Sequence, residues 1–327
     1  MQYVSRTIMA LLLVGLVVLP RNIVAATAPA SIDIARDLPA ALQSCYAGHG
    51  TCVLNLGGRT AHLAHGILIN PLRVTLQDGR IDASALPAGD AAITVSTDSE
   101  TTPDYGTFVH YIKGIRLIGN ENVDGIVFNS VHHNNILAAA MTLESMSISG
   151  FRRAITFSNH SYGFGLSHIQ IFNNKVGIYT VNGAEDAGER MTFVDVGVFN
   201  NQLGIDDEGG FEMDWLGGHW DYNSKTAILS ALVEFDGHIE TGPSDQPVIE
   251  LRALPNMVAA QLFMTPGSFV MVNGYNGKPT ADAWISSHSE YNIVQFPFNT
   301  WGVTGKMGVM QGPGKVIGSA IGTFIPH

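Results

Sequence analysis

The hydrophobic positions of this chain follow two regimes after an apolar run at its start. Between residues 32 and 46, Ile34, Leu38, Ala41, Leu42 and Cys45 fall on one face at helical spacing, with Asp33 near the start, which predicts a single short helix. From Cys52 the pattern changes to short β-branched runs, such as Ile67 to Ile69, Arg73 to Leu76 and Ala92 to Val95, separated by Gly, Asn, Asp and Pro. No later stretch has the period of a long helix.

These runs repeat. Ser149-Gly150-Phe151-Arg152-Arg153-Ala154-Ile155 returns as Phe172-Asn173-Asn174-Lys175-Val176-Gly177-Ile178, then as Phe199-Asn200-Asn201-Gln202-Leu203-Gly204-Ile205, and more loosely as Trp220 to Ile228. Gly125-Ile126 precedes the series and Val248-Ile249 extends it. A period in the low twenties without a helix per unit predicts an all-β solenoid, a right-handed parallel β-helix whose stacked coils bury one continuous interior column. Leucine-rich repeats have a similar period, but their Leu-x-x-Leu-x-Leu pattern is missing. The Asn pairs fit turns that tolerate left-handed backbone, and they can stack as an Asn ladder between coils. The helix would cap the first coil, residues 53–254 would form the coils, and 255–327 would make irregular last coils or a closing cap.

The order of a capping helix, Val53-Leu54-Asn55-Leu56-Gly57-Gly58, Leu72-Arg73-Val74-Thr75-Leu76-Gln77-Asp78-Gly79 and the Phe-Asn-Asn-x-x-Gly-Ile coils resembles the pectin lyase-like superfamily of right-handed parallel β-helices. That superfamily includes pectinases, phage tailspikes and bacterial polysaccharide depolymerases. The resemblance covers most of residues 32–250 and implies a polysaccharide substrate by analogy of architecture, without a catalytic signature.

Arg6, the apolar run Ile8 to Leu19, and the small-residue pattern Val24-Ala25-Ala26 read as a secretory signal peptide, with cleavage expected after Ala26. The run is shorter than the roughly 20 residues a membrane span needs. The expected location is therefore secreted or periplasmic, with no membrane span after processing. In such a compartment Cys45 and Cys52, seven residues apart, suit a disulfide better than a metal site, which wants more ligands. The formal charge is −11, and removing Arg6 and Arg21 takes it to −13. This acidity argues against nucleic acid as a partner. A monomer and a homotrimer both fit.

Aligning the coils on Ile205, Ile228 and Ile249 stacks Glu189, Glu212 and Glu234, with Asp214 and Asp236 two residues beyond the latter pair on the same side of their strands. Like charges one strand spacing apart raise at least one carboxyl pKa, and glycosidic cleavage needs such an acid and base pair. Glu189, Glu212, Asp214, Glu234 and Asp236 are thus the candidate catalytic groups. Ca²⁺ is the cofactor such a group could hold. Arg190, His219, His238, Trp220 and Asp207 are candidate substrate-binding residues, with Trp215 and Trp220 weighed between core and sugar platform. The four-residue insertion within 182–188 would form a loop beside the acids. Gly204-Ile205-Asp206-Asp207 and Gly217-Gly218-His219 resemble the Gly-Asp-Asp and Gly-His-Gly elements of polygalacturonate hydrolases only in part. The Ile between Gly and the Asp pair and the 12-residue gap to His219 depart from them, so that mechanism is not carried over. His168 and Asp195, each ten residues before its coil's Ile, are expected to be vertical neighbours.

The expected function is an exported enzyme that cleaves an extracellular or capsular polysaccharide. Hydrolysis needs only two carboxyls and is favoured over elimination. The alternative is a non-catalytic β-helix that binds glycan during export or assembly.

Overall fold

A computed structural model describes residues 33–48, 50–96, 111–130, 141–162, 165–185, 187–189, 191–242, 244, 246–255, 257, 259–266, 268–271, 283–295, 300–301 and 308–317. The expected signal peptide, the His132-His133 pair and Arg190 lie outside these residues. The chain is an all-β parallel β-helix with one N-terminal helix, as its repeat predicts. Each coil gives one long strand to a first sheet and one short strand to a second, and every pair along both sheets is parallel. Strands Thr142–Ser149, Gly165–Phe172, Met191–Phe199, Met213–Asp221 and Leu232–Glu240 follow one another in the first sheet. Arg153–Phe157, Val176–Thr180, Leu203–Asp207, Lys225–Leu229 and Ile249–Leu251 do so in the second. Shorter strands between Gln261 and Ile317 continue both sheets.

The helix spans Leu38–Ala47 and buries Leu38, Ala41, Leu42 and Cys45. Its N-cap is Asp37 and not the earlier Asp33: the Asp37 carboxylate accepts from the Ala40 amide at 3.0 Å, and a proline within the first two positions has no N–H to leave unpaired. Cys45 and Cys52 form the expected disulfide, which ties the helix to the first strand. No helix among the described residues is long and apolar enough to cross a membrane.

The interior is stacked side chain on side chain. Leu143, Leu166, Phe193, Trp215 and Phe235 form one column, and Ile148, Ile171, Val198, Trp220 and Ile239 another. The second sheet adds Ile126, Ile155, Ile178 and Ile205, as the repeat requires, but the next core position is Ala227 and not Ile228. Trp215 and Trp220 of that coil pack edge to face at 5.2 Å and fill the interior, so the second sheet contributes only a methyl there. Ile228 consequently pairs with Asp206 on the outer face.

Two columns of left-handed residues shape each coil. The first bends the long strand midway: Asp78, Ser145, His168 and Asp195 hold φ between 51° and 57°, and Gly114 and Gly217 occupy the same place at 63° and 80°. The second turns the chain into the short strand at Gly150, Asn173, Asn200 and Tyr222. After that turn Asn174, Asn201 and Asn223 form the expected ladder. Each side-chain oxygen accepts from the preceding coil, as where Asn174 Nδ2 and the Asn174 amide both reach Asn201 Oδ1 at 2.9 Å.

Candidate functional site

The predicted column of three glutamates does not form. Parallel pairing sets Thr192 beside Asp214 and Asp214 beside Glu234. Glu212 precedes its strand by one residue and Glu189 by two, and both are exposed next to the turns. Ala227 and not Ile228 stacks on Ile205, so that alignment is one residue out, and the segment between long and short strand grows from 222–224 to 241–248, so equal offsets from the isoleucines do not reach equal heights. Asp214 and Glu234 remain an exposed outward pair on consecutive coils, while Asp236 stands next to Leu216 and accepts from the Thr265 hydroxyl at 2.9 Å.

Two proposed sugar contacts are interior groups. Trp220 is 0% exposed and packs on Phe235 at 4.4 Å, and Trp215 stacks on Phe193 at 4.4 Å. Their size decides this, because the coil has no other way to fill its core. Asp207 is also 0% exposed. It points inward from the end of its short strand and accepts from the Thr180 hydroxyl at 2.6 Å and from the Phe211 and Ser230 amides at 2.9 Å. Burial pushes its pKa up, and these donors only partly oppose that. It organises turns and is closed to substrate.

The residues that the structure does bring together lie along the bend of the long strands. Where the left-handed column kinks the sheet, a depression of about 420 Å³ opens over Gly79, Gly114, Ile115, Arg116, Ser145, Met146, Ser147 and His168. His168 and Asp195 are indeed neighbours in this column, both exposed. Just past the bend, the outward column runs Arg116, Ser147, Gln170, Gly197, His219, His238. Asp236 sits before the bend on the same strand as His238, with Gly237 between them.

His219 and His238 follow in this column, ahead of Phe269. His219 Nδ1 is 2.8 Å from Asp221 Oδ2, and His238 Nδ1 is 3.4 Å from Asp221 Oδ1. Despite its short separation, His219 Nδ1 makes no hydrogen bond with the carboxylate in this conformation. The other ring nitrogen faces the bend: a Cβ added at Gly197 would lie 2.4 Å from His219 Nε2 and 2.7 Å from Gln170 Oε1. Both side chains therefore lean over a position that glycine leaves empty. Asp221 is fixed in turn, because its Oδ1 accepts from the Glu240 amide at 2.9 Å. Glu240 is nearly buried and accepts from the Tyr222 hydroxyl. Flat rings support the imidazoles, with Phe199 stacked on His219 at 5.3 Å and Phe269 packed on His238 at 4.9 Å. A carboxylate beside Nδ1 with Nε2 over the open Gly197 position brings together the groups of an imidazole base, which a small rotation of the ring would orient through an Nδ1–H···Oδ2 bond. Asp221, Glu240 and His238 also present one donor atom each within 4.8 Å of one another.

A second group of carboxyls lies on the outer face of the short strands. Tyr179 donates to Glu208 at 2.9 Å, and the Arg153 guanidinium covers the Tyr179 ring at 3.7 Å. Burial, and then the charge of Glu208, raise the pKa of Asp206.

Of the residues singled out in the sequence, the structure places His219 and His238 side by side with Asp236 across the bend, and it adds Asp221, Glu240, Gly197 and Gln170, which the sequence pattern had not marked. Asp221 and Glu240 were visible as acids two residues after each histidine, a period-2 signal for one shared face. No protein-family model matches the chain, and no curated protein matches it.

Proposed function

We propose that this is an exported glycan-processing enzyme that lays an extended polysaccharide along the bend of the first sheet and cleaves it at the His219–Asp221 pair. The observation that carries this reading is continuity. One outward column leads from the depression at Arg116 and Ser147, across Gly197, to an imidazole whose Nδ1 faces a carboxylate and whose Nε2 lies over Gly197. Neighbouring coils are about 4.8 Å apart, a spacing that lets a polymer run along several of them. Polar side chains line the path, with Arg80 and Arg116 side by side at one end, in keeping with a hydroxyl-rich ligand. The resemblance to pectin lyase-like β-helices supports the substrate class. The Arg6-to-Ala26 pattern and the Cys45–Cys52 disulfide, a bond that persists in oxidising compartments, support export.

In this reading His219 Nε2 exchanges the proton at the reacting centre, Asp221 orients the ring, and Asp236 faces the substrate from across the bend. Incubation of the purified chain with a panel of acidic and neutral exopolysaccharides tests it. New reducing ends that disappear in His219→Gln are expected. Accompanying absorbance from a new double bond marks elimination, and its absence marks hydrolysis. Retention of a glycan without any new ends would overturn the enzyme in favour of a binding β-helix, and neither retention nor product would remove the glycan altogether.

A further inference from the structure

Glu240 and Asp221 pose a charge problem that the glycan reading leaves unsolved. Glu240 is 7% exposed and the Asp221 side chain 14%. Parallel pairing sets them side by side on consecutive coils. Among the described residues no Lys or Arg pairs with either; the ion-pair partners of Asp221 are His219 and His238, and Glu240 has only the Tyr222 hydroxyl at its carboxylate. Two adjacent carboxylates this far from water are costly without a compensating cation.

The distances suggest which cation. His238 Nδ1 and Asp221 Oδ1 face each other at 3.4 Å without a hydrogen bond. That is long for N–H···O, whose usual separation is about 2.9–3.0 Å. It matches the edge of a tetrahedron around Zn²⁺, since ligand atoms about 2.1 Å from the ion lie roughly 3.4 Å apart. Glu240 completes a set whose donor atoms all fall within 4.8 Å. The outer contacts are of the kind that steady metal ligands: Tyr222 donates to Glu240, the Glu240 amide donates to Asp221, and the Phe269 ring packs on His238.

We propose that Asp221, His238 and Glu240 form a site for one divalent cation of the Zn²⁺ class. An imidazole nitrogen among the donors favours Zn²⁺, Co²⁺ or Ni²⁺ over Ca²⁺, which takes six to eight oxygens. Three protein ligands leave a coordination position for water or a substrate oxygen beside His219. The site stands independently of the glycan reading, because binding is measured on protein without substrate.

The experiment uses the full chain stripped with EDTA and titrated calorimetrically with ZnCl₂ or CaCl₂, with Co²⁺ absorption spectra in parallel. One Zn²⁺ per chain is expected, undisturbed by excess Ca²⁺, together with visible Co²⁺ bands of a low-coordinate nitrogen–oxygen site. His238→Ala and Asp221→Asn should weaken Zn²⁺ by more than the roughly 10–100-fold that loss of an outer-shell partner costs. If His238→Ala does not keep the far-UV spectrum of the parent, His238→Gln takes its place and is read by loss of the Co²⁺ bands. Absence of saturable Zn²⁺ binding, preference for Ca²⁺, or unchanged binding in a folded His238 variant would each overturn the site.

Discussion

His219 Nδ1 and Asp221 Oδ2 meet at 2.8 Å across one strand, two residues apart on the same outward face. The same carboxylate is held by the Glu240 amide, so the partner of the ring is in place before any substrate arrives. Asp221→Asn keeps the shape and removes the charge that favours the reactive tautomer. It should lower the rate of glycan cleavage about 10²–10⁴-fold, the range over which a positioned acid or base acts, with little change in thermal stability. Initial rates with saturating glycan, beside a melting curve, measure this. A rate within a few-fold of the parent would remove His219 from the reaction.

Gly197 tests the groove without touching a charged group. A Cβ there meets only the ends of two flexible side chains, His219 Nε2 and Gln170 Oε1. Gly197→Ala should therefore fold normally, with stability within about 1 kcal/mol of the parent, while the imidazole is pushed off the bend and cleavage falls at least tenfold. Equal losses of stability and activity would mean that the methyl disturbs the sheet and not the site.

The fold was legible because it is periodic. Three coils of Phe-Asn-Asn or Ser-Gly-Phe followed by small-residue-then-Ile give both the turn and the core position, and Ile155, Ile178 and Ile205 do stack. The site was legible only in part because it depends on register to the residue. Where Trp215 and Trp220 fill one coil, the core position moves to Ala227, and an alignment on Ile228 displaces each acid placed by it. The same tryptophans illustrate a second limit: an aromatic near charged residues reads as a sugar platform until the core volume it fills is known. The rings that back the two imidazoles, Phe199 and Phe269, face outward, and sequence alone cannot tell them from core.

Asp207 shows how a buried carboxyl can be structural. It takes the Thr180 hydroxyl and the Phe211 and Ser230 amides, groups from three segments of chain. Asp207→Ala strips all three donors of their acceptor. At roughly 1–3 kcal/mol for each buried group left unsatisfied, the loss should be at least about 3 kcal/mol in urea unfolding. A cost under 1 kcal/mol would mean that water or neighbouring carbonyls replace the carboxylate.

The Asn ladder should behave similarly but over a longer reach. Asn201 Oδ1 accepts from both the amide and the side chain of Asn174, and its own Nδ2 reaches Ile171, Phe199 and Asn223. Asn201→Ala leaves the Asn174 amide without its acceptor and breaks the chain of amides between two coils, at a cost of roughly 1–3 kcal/mol per orphaned group. Asn201→Asp keeps the acceptor and loses the donor, so it should cost less at the Asn174 side. Hydrogen exchange of the Asn174 amide separates the two: faster in the Ala variant, near parental in the Asp variant.

Asp206 and Glu250 stand two coils apart in one outward column, with Ile228 between them, and their carboxyls shift in opposite directions. Burial disfavours the charge of both. At Asp206 the charge of Glu208 adds to it and the pKa rises; at Glu250 hydrogen bonds from Lys225 and Arg252, with their charges, outweigh it and the pKa falls. A carboxyl raised in the folded state contributes stability fully below its unfolded pKa, near 3.9 for Asp, and loses that contribution as pH climbs through the raised value. Asp206→Asn should therefore be more stable than the parent at neutral pH, with the advantage fading in acid. A lowered carboxyl contributes above its unfolded pKa, near 4.3 for Glu, and loses that as pH falls through the depressed value. Glu250→Gln should then be less stable at neutral pH, by roughly 1.5–3 kcal/mol if its charged hydrogen bonds are typical, and toward the low end because Lys225 and Arg252 are 33% and 42% exposed. Urea unfolding of the three proteins between pH 3 and pH 8 reads both effects, and changes of the same sign in the two variants would show that the neighbours, Glu208 on one side and Lys225 with Arg252 on the other, do not set these carboxyls.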